Sequence, residues 1–279
     1  MKAIITGAQG QLGRAFQAEL TARGIPFLAA DIKICDISKP DQVSALLDKY
    51  QPTVLINCAS YNLVDDAQTN PQLADLVNNQ AVKVLALACQ AREIKIVHYS
   101  TDYVFDGQKG DLYDENDVPH PLNIYGASKL AGEQNVKVFV PDHLILRTSW
   151  LYGAGQQNFL YKVSQWAANQ KVLRIACDEV SVPTSADDLV MMTLQALEKG
   201  LNGLYHAVNS GYASRYELTR HYLKLAGLNV LTVPVPMSTF SSKALRPLFS
   251  AMSNQRLSDK LGMKIPTWQD AVEKYLQAN

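Results

Sequence analysis

Two side chains that stand one helical turn apart could perform acid–base chemistry. Tyr125 and Lys129 lie at positions i and i+4 of the segment Tyr-Gly-Ala-Ser-Lys, where a helical pattern begins, so they share one helix face. An ammonium group beside a phenol favours the phenolate. We therefore expect Lys129 to lower the Tyr125 pKa from about 10 towards neutrality, where a phenol can act as a general acid. The chain has 13 Tyr, so the spacing alone also fits an ordinary surface pair.

Hydroxyl side chains at the end of an apolar run supply a second chemical group. Ser100 and Thr101 follow the run that starts at Ile94, and open α/β sheets bind ligands at the carboxyl ends of their strands. There the Thr101 hydroxyl would hydrogen-bond a substrate carbonyl and hold it in line with Tyr125. A β-branched residue at a strand end is common by itself. Its occurrence together with Tyr125 and Lys129 indicates a catalytic site.

Three glycines form a candidate phosphate-binding turn directly after the first apolar run. Gly7, Gly10 and Gly13 permit a tight turn, a close approach of backbone N–H groups to a diphosphate, and close packing of helix on strand. Gln11 and Leu12 open the following helix, whose N-terminus carries partial positive charge. The pattern predicts a dinucleotide site. A plain βα turn with helix-packing glycines is the alternative.

An acidic residue at the end of the second apolar run bears on which dinucleotide binds. Asp31 stands where a carboxylate hydrogen-bonds the adenosine ribose, which repels a 2′-phosphate and favours NADH over NADPH. Lys33 could pair with that phosphate, so the use of both cofactors stays open. Asp36 and Ile37 are expected near the adenine edge. For each Asp, a solvated loop carboxylate or a helix cap is the alternative.

The elements that must position these residues follow from the apolar pattern. Continuous apolar runs indicate strands buried on both faces, and their alternation with helical patterns indicates parallel βαβ units. We predict an α/β fold, a doubly wound parallel sheet of the Rossmann type, with a smaller C-terminal α/β substrate lobe. The predicted strands are residues 3–6, 27–30, 54–57, 94–100, 144–148 and 204–206, and the predicted helices are residues 11–23, 40–50, 71–92, 125–138, 159–169, 185–199 and one from 214. The predicted dinucleotide-binding domain is 1–150, completed by about 183–207, and the lobe is 151–182 with 208–279.

Composition narrows the class of protein. The 279 residues include 26 Lys and Arg against 26 Asp and Glu, so no basic excess draws the chain to nucleic acid or to an anionic membrane. No apolar run approaches the ~18 residues of a membrane span, and the first run is too short for a signal peptide. The four cysteines are too widely spaced for a metal site or a disulfide framework. We expect a cytoplasmic monomer or homodimer that binds small molecules and holds no metal.

Several motifs resemble one superfamily of enzymes. The glycine turn, Thr101 and the Tyr125/Lys129 pair resemble the extended short-chain dehydrogenases/reductases. Within that superfamily, four segments spread over the chain are similar to the dTDP-4-dehydrorhamnose reductase family, and they are residues 98–105, 121–126, 147–153 and 246–247.

The resemblance implies a reaction and assigns roles to residues. It implies NAD(P)H-dependent reduction of the 4-keto group of dTDP-6-deoxy-L-lyxo-4-hexulose to dTDP-L-rhamnose. It implies a catalytic triad of Thr101, Tyr125 and Lys129, in which Tyr125 and Lys129 also contact the cofactor. It further implies that the cofactor cleft is lined by Ala59, Ser60, Tyr61 and Asn62, and that the substrate is contacted by Thr101, Asp102, Tyr103 and Trp150. Arg246 is the candidate clamp for the substrate diphosphate, since a guanidinium binds phosphate bidentately, although an ordinary surface Arg is an equal alternative.

The sequence also departs from the family, and other functions stay open. Ala15 stands where some members have the Glu of a metal-linked dimer, and Ser181 and Phe249 replace the usual Gly and Asn. Other nucleotide-sugar 4-ketoreductases and epimerases of the superfamily are alternatives. A dehydratase is disfavoured because Tyr103, not Glu, follows Asp102. A non-catalytic regulatory relative is disfavoured because the triad is intact.

Overall fold

The computed structural model describes residues 1–278. The strands in this part of the chain are β1 (Ala3–Thr6), β2 (Phe27–Ala30), β3 (Val54–Asn57), β4 (Lys95–Thr101), β5 (His143–Thr148), β6 (Leu151–Tyr152), β7 (Val172–Ala176), β8 (Val180–Ser181), β9 (Thr184–Ser185), β10 (Gly203–His206), β11 (Ala213–Ser214) and β12 (Leu231–Val235). The α-helices are α1 (Gln11–Ala22), α2 (Pro40–Tyr50), α3 (Val64–Thr69), α4 (Pro71–Asp75), α5 (Ala81–Gln90), α6 (Ile124–Phe139), α7 (Phe159–Asn169), α8 (Ala186–Glu198), α9 (Arg215–Leu225), α10 (Gln255–Leu261) and α11 (Trp268–Ala278). A π-helical turn covers Leu76–Gln80, and 3-10 turns cover Asp102–Val104 and Met237–Thr239.

Parallel strands form the central sheet, in the order β2-β1-β3-β4-β5-β10. The chain runs from β1 to β2 at one edge and then crosses back to β3, so the strand order reverses between β1 and β3. In open α/β sheets the ligand crevice lies at such a reversal, outside the carboxyl ends of the strands. The predicted doubly wound sheet is confirmed, and the glycine turn lies at this crevice.

The apolar periodicity located the sheet well but missed a local irregularity. The strands predicted at 3–6, 27–30 and 54–57 have the observed bounds. The single helix predicted over 71–92 is instead α4, the π-helical turn and α5. Asn78 in that turn is fully buried; its amide oxygen accepts from the Tyr61 N–H at 2.9 Å and its amide nitrogen donates to the Ser128 hydroxyl at 3.0 Å. Periodicity does not show this turn, because side-chain bonds to distant segments stabilise it.

Apolar clusters cover both faces of the sheet, and a third lies in the smaller lobe. Helices α1, α8 and α10 contribute to one face, and α2, α5 and α6 to the other. The lobe has its own cluster, which includes Tyr152, Leu173 and Trp268. Helix α10 packs on the sheet, although its residues fall in the predicted lobe; the predicted domain boundaries stay a prediction. Within residues 1–278, no helix has the length and apolar character that a bilayer span requires.

A buried ion pair ties α6 to the sheet below the candidate catalytic residues. Glu133 is fully buried and Arg147 is 1% exposed. The Arg147 Nε and Nη2 each donate to a different Glu133 oxygen at 2.8 Å. Helix α6 carries Tyr125 and Lys129, and β5 lies beside β4, the strand that carries Thr101. This ion pair therefore helps to fix α6 relative to β4.

Neutralising one member of this pair should destabilise the protein strongly. Glu133→Gln leaves the Arg147 charge buried without its counter-charge, so we expect the free energy of unfolding to fall by about 3–5 kcal/mol. The matched control is Asp142→Asn, which neutralises the partner of Lys95 at a side chain that is 62% exposed; there we expect a loss below about 1 kcal/mol. Urea denaturation measures both, and equal losses would contradict the prediction.

Candidate active site

The carboxyl ends of the sheet strands and the smaller lobe enclose a cavity of about 740 Å³. It brings together most of the residues that the sequence singled out. Those that line it are Gly7, Gly10, Gln11, Leu12, Asp31, Asp36, Ile37, Ala59, Ser60, Asn62, Thr101, Asp102, Tyr103, Tyr125, Lys129 and Trp150. Gly13, Tyr61 and Arg246 are not among the lining residues, and their positions are described below.

The glycine turn has the shape of a cradle for a diphosphate. Gly7 has a φ of +62°, and a Cβ there would lie 2.5 Å from the backbone nitrogen of Ala59. A Cβ on Gly13 would lie 2.6 Å from the Gly7 oxygen, so Gly13 supports the turn from beneath. The N-cap of α1, Gly10, provides no side-chain hydrogen bond, which leaves the first backbone N–H groups of the helix available to an anion. The turn therefore fits a dinucleotide diphosphate.

Two carboxylates at the far end of the cleft are held by their own loops. Asp31 Oδ1 accepts from the backbone N–H groups of Lys33 at 3.0 Å and Ile34 at 3.2 Å. Asp36 accepts from the Ser38 hydroxyl at 2.7 Å, and hydrogen bonds from Ser38 lower the Asp36 pKa. Both side chains line the cavity and have fixed positions, so their negative charges face whatever part of a cofactor binds there.

Helix α6 delivers Tyr125 and Lys129 beside the end of β4. Asn123 caps the helix by accepting from the Gly126 N–H at 2.8 Å. A Cβ on Gly126 would lie only 2.1 Å from the Tyr103 carbonyl oxygen, so glycine at this position lets α6 pack directly on the 3-10 turn that follows Thr101. As a result the Tyr125 and Tyr103 rings meet edge to face, with centroids 5.9 Å apart.

Burial controls the acidity of Tyr125 and Lys129. Desolvation raises the Tyr125 pKa to about 12, against a hydrogen bond with Thr101 that lowers it. Desolvation also lowers the Lys129 pKa to about 8. The expectation that Lys129 brings the Tyr125 pKa towards neutrality is wrong, because the cost of removing a phenolate from water exceeds the lowering by the Thr101 hydrogen bond. Tyr125 is therefore protonated at neutral pH, which is the state that a proton donor needs.

Asp102 lines the same cavity as Tyr125 and Lys129, and its carboxylate accepts hydrogen bonds from hydroxyl side chains. It is 2% exposed, and its carboxylate accepts from Ser181 at 2.8 Å, Ser250 at 2.5 Å and Thr101 at 3.1 Å. Burial nevertheless raises the Asp102 pKa to about 6. Ser181 and Ser250 are both far from Asp102 in the sequence, so this carboxylate joins the end of β4 to two distant segments. Its predicted contact with substrate stays a prediction.

Two charged residues that the sequence reasoning missed belong to the smaller-lobe side of the site. Glu179 is 4% exposed and accepts from the Tyr103 hydroxyl at 3.2 Å. Arg215 lines the cavity, and its guanidinium carbon lies 3.5 Å from the centre of the Trp150 ring. The helix predicted from residue 214 does begin there, with a capping box of Ser214 and Glu217, so the sequence placed Arg215 at a helix start without indicating a role for it. Nothing local in the sequence brings that helix to Trp150.

The predicted residues outside the cavity lining have partners of their own. Arg246 Nη1 and Nη2 donate to Asp65 at 3.2 and 2.7 Å. The Tyr61 hydroxyl donates to Asp66. The roles predicted for Arg246 as a diphosphate clamp and Tyr61 as a cofactor contact stay predictions, and in this structure both polar groups are already hydrogen-bonded within the chain.

Comparison with known proteins gives consistent matches over the full length. Residues 1–279 match the model of the RmlD substrate binding domain family. The chain is 34% identical to a dTDP-4-dehydrorhamnose reductase of Burkholderia thailandensis, covering 98% of this chain and 97% of the relative. It is 34% identical to a dTDP-4-keto-6-deoxy-D-glucose reductase of Streptomyces niveus, covering 96% and 94%. A crystal structure of a dTDP-4-dehydrorhamnose reductase from Bacillus anthracis in complex with NADP superposes with a TM-score of 0.96, at 35% identity and full coverage of both chains.

The raised Asp102 pKa makes stability depend on pH. The folded-state pKa of about 6 exceeds the unfolded value near 3.9, so ionising Asp102 weakens the folded state as pH rises through about 6. Asp102→Asn removes that titration. Relative to the variant, the wild-type protein should lose about 2 kcal/mol of unfolding free energy between pH 4 and pH values above 6. Urea denaturation of both proteins at the two pH values measures the difference, and a pH-independent difference would contradict the assignment.

Proposed function

Because the chain belongs to the RmlD substrate binding domain family, we propose that it reduces the 4-keto group of dTDP-6-deoxy-L-lyxo-4-hexulose to form dTDP-L-rhamnose. The chain is an oxidoreductase of the Rossmann fold that uses a nicotinamide cofactor in nucleotide-sugar biosynthesis. The observation that supports the proposal most is that Thr101, Tyr125 and Lys129 line the same cavity as the glycine turn. A cytoplasmic location, a monomeric or homodimeric state and independence of metal are part of the proposal.

The residues of the cleft suit the reductive direction. A reduced nicotinamide dinucleotide held at the glycine turn would supply a hydride for the carbonyl carbon. Tyr125 then gives its proton to the carbonyl oxygen, so the phenol O–H bond breaks and the O–H bond of the product alcohol forms. The phenolate that remains lies in a cleft where Lys129 carries the compensating positive charge, and Thr101 orients the reacting oxygen. The high Tyr125 pKa keeps the proton in place until the carbonyl oxygen becomes basic.

Both nicotinamide cofactors are proposed to serve, with NADH preferred. Asp31 lines the cavity at the end of β2, and backbone hydrogen bonds fix its carboxylate. A fixed negative charge repels a 2′-phosphate there, which supports the preference for NADH. The exposed Lys33 is available to offset that repulsion, which supports some use of NADPH.

Removing the phenolic hydroxyl of Tyr125 tests the proposed function. Tyr125→Phe keeps the ring but has no proton to donate, so kcat for the ketosugar should fall by about 10²- to 10⁴-fold. The control is Tyr50→Phe at the end of α2, outside the cavity lining, where kcat should be unchanged. The loss of nicotinamide absorbance in the presence of the ketosugar measures both. Normal turnover by Tyr125→Phe would exclude the mechanism, and wild-type turnover of the D-gluco 4-ketosugar alone would indicate a different 4-ketoreductase.

Neutralising Asp31 tests the cofactor preference. Asp31→Asn keeps an acceptor for the loop N–H groups and removes the charge. We expect the ratio of kcat/KM for NADPH to that for NADH to rise about tenfold. The control is Asp41→Asn at the start of α2, which does not line the cavity. The assignment of Asp31 would be refuted if the ratio changed equally in the two variants.

A further inference from the structure

Arg215 is a cation on the part of the cavity wall that the smaller lobe supplies. Among the described residues that line the cavity, Lys129 and Arg215 are the cationic side chains. Lys129 belongs to the catalytic pair on α6, whereas Arg215 is the first residue of α9. A dinucleotide and a sugar nucleotide each bring a diphosphate, and the glycine turn provides for one of them. Arg215 is therefore the available charge for the other.

Aromatic rings and one carboxylate hold the Arg215 guanidinium in place. Its central carbon lies 3.5 Å from the ring centre of Trp150 and 4.7 Å from that of Phe159. The Arg215 Nε lies 3.8 Å from Glu179 Oε2, too far for a hydrogen bond, and the Arg215 backbone N–H donates to the Glu179 carbonyl oxygen at 3.3 Å. Stacking on a ring leaves the N–H donors at the guanidinium edge free to bind a ligand.

Unused hydrogen-bond donors lie together at this wall. The Arg215 side chain is only 19% exposed, and the Glu179 carboxylate oxygen that it pairs with lies 3.8 Å from its Nε, beyond hydrogen-bond distance. The Trp150 Nε1 is buried and, within residues 1–278, has no hydrogen-bond partner. Donors in such positions normally find acceptors. Adjacent unused donors thus indicate that acceptor oxygens of a ligand belong here.

The contacts between Arg215 and the candidate reacting centre fit a diphosphate on the sugar. A series of short contacts leads away from Tyr125, through the Tyr103 ring at 5.9 Å, from its hydroxyl to Glu179 at 3.2 Å, and on to Arg215 at 3.8 Å. In a 4-ketohexose the reacting C4 and the diphosphate-bearing C1 lie on opposite sides of the pyranose ring. A carbonyl at Tyr125 therefore places the diphosphate away from Tyr125, and Arg215 lines the same cavity at the far end of this series of contacts.

We propose that Arg215 is the residue that binds the diphosphate of the sugar nucleotide, with Glu179 and the Trp150 ring holding its guanidinium in position. This inference rests on the proposed function for the class of ligand. Arg246 is less suited to the role, because its guanidinium is paired with Asp65 and it is not among the cavity-lining residues.

Calorimetric titration with dTDP tests the proposal, using enzyme saturated with NAD⁺ so that the dinucleotide site is filled. Arg215→Gln should weaken dTDP binding about 10- to 100-fold, because charge-assisted hydrogen bonds to phosphate are lost. Arg215→Lys should weaken it less, since it keeps the charge without the planar fork. The matched control is Arg220→Gln, an exposed Arg on the same helix, which should bind dTDP normally. Thymidine, which has no phosphate, should bind the wild-type protein and the three variants with equal affinity. In the kinetic assay, KM for the ketosugar should rise where dTDP affinity falls, while kcat should change less than about threefold.

The outcomes separate this proposal from the proposed function. Normal KM and dTDP affinity in Arg215→Gln would overturn the proposal, while wild-type reduction of the ketosugar would still support the function. Equal losses of dTDP and thymidine affinity would also overturn it, because Arg215 would then act through the Trp150 ring. Binding of neither dTDP nor UDP by the wild-type protein would overturn it as well. Arg215-dependent dTDP binding without reduction of any ketosugar would support the diphosphate site and contradict the function.

Discussion

Close backbone contact at two glycines is the constraint on which the cleft depends. At Gly7 the first βα turn approaches the end of β3 so closely that a Cβ would meet the Ala59 nitrogen at 2.5 Å. At Gly126 the start of α6 lies against the carbonyl of Tyr103, where a Cβ would come within 2.1 Å. The first contact shapes the diphosphate cradle and the second places Tyr125 beside the end of β4. Any larger side chain at either point would separate segments that must act together.

Desolvation gives this site its chemical character. The same burial raises the Tyr125 pKa to about 12 and lowers the Lys129 pKa to about 8, so phenol and ammonium coexist at neutral pH. That arrangement suits a reductase, in which the tyrosine must hold a proton until the substrate oxygen needs it. Asp102 is kept charged near neutrality by hydroxyl donors, although its burial costs stability. Burial of these groups thus lowers the stability of the folded protein and gives the cleft a fixed electrostatic environment.

The smaller lobe completes the site with groups of a different kind. The sheet domain supplies backbone N–H groups, hydroxyls, Tyr125 and Lys129, and Trp150 at its boundary, whereas the smaller lobe supplies Glu179 and Arg215. Glu179 contacts both Tyr103 and Arg215, so the lobe is linked directly to the catalytic side of the cavity. Lys129 and Arg215 are the cationic side chains among the described residues that line the cavity, and the chain as a whole is neutral.

The sequence by itself determined the features that depend on local pattern. The apolar runs predicted the parallel sheet, and the glycine and Tyr125/Lys129 spacings placed their residues at the first βα turn and on one helix face, because strand and helix periodicity and turn geometry are set by neighbouring residues. Only the tertiary structure decided the direction of the Tyr125 pKa shift, the hydroxyl partners of Asp102, and the presence of Arg215 rather than Arg246 at the cavity wall. Burial and pairing depend on which distant segments meet, and no short stretch of sequence contains that information.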